Sequence, residues 1–148
     1  MPTSIREQVL AAFLTILEGI TGITGLEVLR NDARDVDTFP TLILQDADSS
    51  QRIDERAGGI TAYSIDVVIE AFVTAGTPAN IGAAVSALYA ATWTAAASAV
   101  SDPNIFEVLE GDMDSQLIDE EGLPPHAMFA LEVEIKFGAV PDNPFTTA

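Results

Sequence analysis

The sequence predicts an α+β fold, a single domain with a mostly antiparallel β-sheet and two main helices packed on one face. Residues 127–137 alternate between apolar and polar side chains, and residues 61–73 show the same period of two. Such alternation is typical of strands with one buried face. Two further stretches, at 5–17 and 78–100, carry apolar residues at helical spacing. Because one-sided burial favours antiparallel sheets, both helices are expected on the same face.

The first helix is predicted to begin after Ser4, because Ser4-Ile5-Arg6-Glu7 has the pattern of a capping box. The segment 21–25, with two glycines, ends this helix, and a short strand is expected at 26–30. A second strand is predicted at 39–44, where Pro40 indicates either a sheet edge or a strand start.

The polar residues 46–59 predict a long mobile hairpin loop before the strand at 61–73. Arg52 and Arg56 are two of only six cationic residues in the chain. They can pair with neighbouring Asp54 and Glu55 or with an acidic partner surface. We therefore regard these four residues as a candidate partner loop, with a solvated loop tip as the alternative.

The second helix is predicted to have Thr77 as its N-cap and Pro78 at its first position, and to extend to about Val100. After it, two short strands are expected at 105–110 and 116–119, around a turn. The strand at 127–137 completes the sheet. These boundaries predict one domain at 1–140 and a flexible C-terminal tail at 141–148.

The charge of the chain is strongly acidic, at −17 from 23 acidic and six basic residues. Residues 57–148 carry thirteen acidic residues and Lys136 as their one lysine or arginine. Binding to nucleic-acid phosphates depends on such cations, so tight binding to DNA or RNA is disfavoured. The charge instead favours solubility, repulsion of DNA or mimicry of DNA.

Residues 71–101 contain no charged side chain. The stretch is rich in alanine, is interrupted by Gly76 and Pro78, and has no flanking basic residues, so no membrane span is expected. A helix without charges is either buried on all sides or contacts another chain. We favour the second interpretation, since small uncharged side chains allow close approach. Candidate interface residues are Ala84, Ala91 and Ala95.

No motif in the sequence predicts an enzyme, a cofactor or a metal site. The chain lacks cysteine, and its one histidine, His126, is expected to be a surface or turn residue. The acidic residues between 112 and 121 do not have the glycine and glutamate spacing of an EF-hand, so a solvated turn is expected there. Trp93 can be a binding anchor, but packing in the core is the simpler interpretation.

The order of elements resembles the tail terminator proteins of long-tailed bacteriophages, the minor tail protein U-like group. The resemblance covers most of the chain and starts with the amphipathic N-terminal helix. It includes Asp37-Thr38-Phe39-Pro40-Thr41-Leu42-Ile43-Leu44, then the strand at 62–72 and a helix, and finally Asp119-Glu120-Glu121-Gly122-Leu123 before the last strand.

This resemblance implies a structural virion protein, assembled in the host cytoplasm and placed in the neck region of the tail. It implies a ring of sixfold order, a homohexamer, that ends polymerisation of the tail tube protein. The ring then joins the tail to a head–tail connector or head completion protein, and DNA passes through it without specific binding.

We expect the polar strand faces to line such a ring, with Asp66, Glu70, Glu132 and Glu134 as candidate lumen-facing residues. An acidic lining would leave DNA mobile. The alternative from another functional class is an acidic DNA mimic that inhibits a DNA-binding enzyme.

Overall fold

Six strands form one sheet, and two helices pack on one of its faces, in a computed structural model that describes residues 4–32, 39–57, 60–74, 78–118, 126–140 and 143–147. This arrangement confirms the predicted α+β class. The elements are α1 (Ile5–Glu18), β1 (Glu27–Arg30), β2 (Thr41–Ala57), β3 (Ile60–Thr74), α2 (Pro78–Ala97), a 3₁₀ turn η1 (Ser98–Ser101), β4 (Ile105–Ile118), β5 (His126–Val140) and β6 (Asn143–Thr147).

The strands lie in the order β1-β2-β3-β5-β4, and β6 pairs with the end of β5. Only the four-residue β1 runs parallel to its neighbour β2, while the other pairings are antiparallel. The long strands β3 and β5 pair in unbroken register from Thr61↔Ala139 to Thr74↔His126. The two strands whose alternation predicted the fold therefore lie side by side at the centre of the sheet.

The core lies between the helices and the sheet. From β5 it takes every second residue, from Ala127 to Phe137, and from β3 Ile65 to Val73 with the same period. From α1 it takes one stripe, which includes Val9, Phe13 and Leu17. Each of these side chains is at most 4% exposed, so the apolar rows read from the sequence do form the core. Trp93 packs against it, as the simpler interpretation expected.

A capping box has two hydrogen bonds between side chains and the helix backbone, and the start of α1 forms one of them. The Ser4 hydroxyl accepts a hydrogen bond from the Glu7 backbone N–H at 3.1 Å. The Glu7 carboxylate accepts two bonds from the guanidinium of Arg30 on β1, at 2.7 and 2.9 Å. Arg30 therefore binds the Glu7 carboxylate, which in a complete capping box would accept a hydrogen bond from the backbone N–H of the N-cap residue.

Three stretches that were predicted to be irregular are strands. The predicted mobile loop at 46–59 is wrong for residues 46–57, which continue β2. After a register shift between Gln45 and Ser50, this part of β2 pairs with β3 as far as Ala57↔Ile60. The predicted turn at 111–114 lies within β4, which has a register shift between Glu110 and Met113. Residues 143–147, expected in a flexible tail, form β6. In each case cross-strand hydrogen bonds order a polar sequence that local patterning assigns to a loop.

The expectation of an exposed His126 is also wrong. This residue begins β5, is 4% exposed, and its ring lies 4.8 Å from the ring of Phe39. Phe39 precedes Pro40, and the next residue, Thr41, begins β2 between β1 and β3. Pro40 therefore marks a strand start and not a sheet edge.

Candidate functional site

The four residues that the sequence proposed as an acidic lining do lie on one face of the sheet. Asp66 is paired in register with Glu134, and Glu132 pairs with Val68, whose neighbour two residues along β3 is Glu70. Alternate residues of a strand share a face, so all four carboxylates project from the side opposite the helices. We call this the acidic face. Its central part forms an open groove of about 760 Å³, and all four acidic residues line it.

A cation from β2 crosses this face. One terminal nitrogen of Arg52 lies 2.8 Å from a carboxylate oxygen of Asp66, and the other lies 3.0 Å from Glu134. The bond to Asp66, followed by the nearby charges, raises the pKa of the Arg52 guanidinium, which therefore stays charged. Arg52 thus pairs with β3 and β5, and the side chains of Asp54, Glu55 and Arg56 lie outside the described part of the structure.

The second cation on the acidic face is Lys136 of β5. Its ammonium lies 3.7 Å from Glu107 and 3.9 Å from Glu134. The Ser64 hydroxyl also donates to Glu134, at 3.3 Å. Arg52 and Lys136 therefore pair with three carboxylates, those of Asp66, Glu107 and Glu134. The acidic face keeps an excess of negative charge.

Glu70 and Glu132 carry uncompensated charge in the groove, which Glu110 of β4 also lines. Among the described residues, neither forms an ion pair, whereas Asp66 and Glu134 both do. Beside Glu132, the chain of β4 comes very close: a Cβ built on Gly111 would lie 2.9 Å from the Cβ of Glu132. Glycine at this position lets the irregular part of β4 lie against β5 next to the acidic row.

The outward face of α2 lies on the opposite side of the molecule. The proposed interface residues Ala84 and Ala95 are only partly exposed and pack against the core, and Ala91 is also half-buried. The row predicted to contact another chain is thus half-buried in the described structure, and its role in an interface stays a prediction. The exposed row is neighbouring and equally free of charge: Ala83, Ser86, Ala87, Ala90 and Thr94.

By length and composition, the segment Asn80–Ser101 is apolar enough to cross a membrane. Such a signal is weak for a single helix, because core helices of water-soluble domains give it too. Here Leu88, Thr92 and Ala96 form a buried row against the sheet, while 22% of the most apolar part of the segment is buried. Tyr89 donates a hydrogen bond to Glu110 of β4. The tie between Tyr89 and Glu110 raises the pKa of the tyrosine hydroxyl.

A second group of ionic side chains lies at the start of α1, on the helix side of the sheet. Arg30 bridges Glu7 and Asp46, with its shortest contact to Asp46 at 2.6 Å. Asn31, at a positive φ of 50°, donates to the Asp46 carboxylate and accepts from the Asp46 and Ala47 backbone N–H groups. This cluster holds the irregular part of β2 against α1 and β1, which is a structural role.

The charged groups of this cluster have shifted pKa values. Burial would raise the pKa of Asp46, but the hydrogen bonds from Arg30 and Asn31 outweigh it and leave the pKa lowered. The bonds from Arg30 also lower the pKa of Glu7. In return, Glu7 and then Asp46 raise the pKa of Arg30. All three groups are therefore charged at neutral pH.

No group of three or more metal-ligating side chains comes together among the described residues. Asp112 and Asp114 lie on β4, and residues 119–121 of the predicted acidic turn fall outside the described part. The chain matches no protein-family model and no curated protein. The resemblance to tail terminators therefore stays a prediction.

Proposed function

We propose that this protein is a structural ring protein of a phage tail, which ends growth of the tail tube and joins the tail to the head. The observation that supports this proposal best is the acidic face. It gathers Asp66, Glu70, Glu132 and Glu134 on a sheet surface that no helix of the described structure covers. A surface with an excess of negative charge, repeated around a ring, repels DNA phosphates and keeps a passing genome from adhering.

The two faces of the domain suit the two surfaces of a ring. The acidic face would line the channel, and the uncharged row of α2, on the other side of the sheet, would be available for contacts with tail or head proteins. A ring needs extended contacts between copies, and the α+β domain offers long strands at its periphery. The partners in this proposal are the tail tube protein and a head–tail connector or head completion protein.

The first experiment measures the assembly itself. The purified chain is analysed by size-exclusion chromatography with light scattering, alone and with short tail tubes. We expect a closed ring, or a monomer that forms one on the tube end and stops further growth. A monomer that ignores tubes and instead binds a nuclease or repressor tightly would support the DNA-mimic alternative and contradict the ring.

The second experiment tests the lining. Glu132→Lys reverses a charge on the acidic face, and Glu18→Lys makes the same change at an exposed position at the end of α1. If the acidic face lines the channel, the Glu132 variant should assemble normally but slow genome ejection, whereas the Glu18 variant should eject normally. Equal ejection rates for the two variants would count against a channel lining.

A further inference from the structure

The exposed apolar side chains of the described structure concentrate at two edges of the sheet. Six large apolar residues are exposed among the described residues. Three of them lie on β4 and one on η1, which contacts β4; the other two lie on the β2–β3 hairpin. These residues are Phe106, Leu109 and Leu117, then Val100, and Ile53 and Ile60, with exposures from 38% to 57%. Clustered exposed apolar side chains mark interaction sites.

Both regions also expose strand edges. β4 pairs with β5 on one side, and no described strand pairs with its other side along its fourteen residues. β1 covers β2 only from Thr41 to Leu44, so residues 50–57 of β2 have β3 on one side and no described strand on the other. Long exposed edges present unpaired backbone groups that can extend a sheet into another chain.

The charges on the two edges differ. The strand β4 carries four acidic residues and no basic one, so two copies of β4 would bring like charges together. Residues 50–57 of β2 carry two basic residues, Arg52 and Arg56, and two acidic residues, so this edge has no net charge. It holds two of the six lysine and arginine residues of the chain. An edge pairing of β4 with β2 avoids the repulsion of a symmetric pair.

We infer that copies of this chain join head to tail, with β4 of one subunit extending the sheet of the next along residues 50–57 of its β2. Such a contact uses two different surfaces, so it generates a ring when the rotation closes. The eight residues 50–57 span about 26 Å of extended strand, which is shorter than β4 and fits within its length. This inference rests on the proposed ring and assigns its subunit contact to the sheet edges, in place of α2.

The absence of cysteine makes a clean test possible, since any introduced thiol is the only one in the chain. Two single variants are prepared, Gln51→Cys on β2 and Ser115→Cys on β4, both at exposed positions. Each is treated with a short bismaleimide, alone and as an equal mixture, after its assembly state has been measured by light scattering. A third variant, Ala11→Cys on the exposed side of α1, serves as the control.

A head-to-tail contact predicts cross-linked dimers in the mixture and none in either variant alone. Dimers from Ser115→Cys alone would show a symmetric β4 contact and overturn the inference. A ring that forms without any cross-link in the mixture would also overturn it, while leaving the proposed function intact. If light scattering finds only monomers, with and without tail tubes, the proposed ring fails instead.

Two further variants, Leu117→Asn on β4 and Ile53→Asn on β2, test the same contact without cross-linking. Leu117 is 57% exposed, so Leu117→Asn removes little from the fold of one subunit. If β4 is the contact edge, this variant should keep the circular dichroism and unfolding midpoint of a folded chain but shift the assembly toward monomers. An unchanged assembly for both Leu117→Asn and Ile53→Asn would contradict the edge contact.

Discussion

The ion cluster at Arg30 leads to the sharpest prediction for stability. The Asp46 side chain is 2% exposed and meets Arg30 at 2.6 Å, while Glu7, the other partner of Arg30, is 43% exposed. Arg30→Met therefore leaves a buried carboxylate without its cation, and leaves Glu7 free to be hydrated. Losing one partner of a buried ion pair costs about 3–5 kcal/mol. Because Asn31 still donates to Asp46, we expect the lower end, about 3 kcal/mol at pH 7.

This loss should depend on pH, in a direction set by Asp46. In the natural chain its pKa is lowered, so its contribution to stability is present above the unfolded pKa and is lost as the pH falls through the folded value. Without Arg30, we expect burial to outweigh the remaining hydrogen bond from Asn31 and to raise the pKa of Asp46. The penalty in the variant then grows as the pH rises, so the loss at pH 5 should be smaller than at pH 7 by about 1 kcal/mol.

The assay is urea unfolding, followed by the fluorescence of Trp93, the single tryptophan of the chain. Both pH values lie above the isoelectric point of about 4.1, where low net charge would favour precipitation. All variants are compared at one protein concentration, since assembly makes apparent stability depend on concentration. The double variant Arg30→Met, Asp46→Asn should recover about half of the loss, because the buried charge is gone.

Glu7→Gln is the matched control. It weakens the exposed half of the same cluster and should cost no more than about 1 kcal/mol. A cost of Arg30→Met below about 1 kcal/mol, or an equal cost at both pH values, would show that the buried pair of Arg30 and Asp46 does not stabilise the fold in this way. Equal losses for Arg30→Met and Glu7→Gln would show that burial of Asp46 carries no special weight.

Three further predictions concern single side chains. Thr92→Val should raise the free energy of unfolding by about 1 kcal/mol in urea titrations, because the buried Thr92 hydroxyl has no hydrogen-bond partner among the described residues; a loss would show a partner elsewhere in the chain. Gly111→Ala should lower the free energy of unfolding by about 1–3 kcal/mol, because the new Cβ would lie 3.0 Å or less from the Cβ and carbonyl oxygen of Glu132; an unchanged value would mean that β4 moves freely. Arg52→Met should lower the thermal midpoint at low ionic strength and not in high salt, because Arg52 and Asp66 are exposed and Glu134 is partly exposed to solvent; a salt-independent drop would indicate lost packing instead.

The parts of the fold that the sequence predicted correctly share one property. In β3, β5 and α1, burial on one side leaves a local period of two or 3.6 that needs no knowledge of the partner. The position of Pro78 at the start of α2 is local in the same way, since it depends on the geometry of the first helical turn. Such features can be read from a single stretch of chain.

The errors arose where pairing partners decide the structure. Residues 46–57 and 111–114 are polar and carry turn-like residues, yet β3 and β5 hold them in strands. The burial of His126 depends on Phe39, which lies far from it in sequence. For α2, a chain of alanines has no amphipathic signal strong enough to show which row faces the core, so the sequence did not show that Ala84, Ala91 and Ala95 are half-buried.

The sequence by itself determined the α+β class, the two central strands and the sharing of one face by Asp66, Glu70, Glu132 and Glu134, because each follows from periodicity within a segment. Only the tertiary structure decided that Arg52 pairs with Asp66 and Glu134 and that Asp46 is buried beside Arg30. It also decided that β4 and the end of β2 each lack a described strand on one side. These features depend on contacts between distant segments, and strand order and register are not written into the pattern of any one strand.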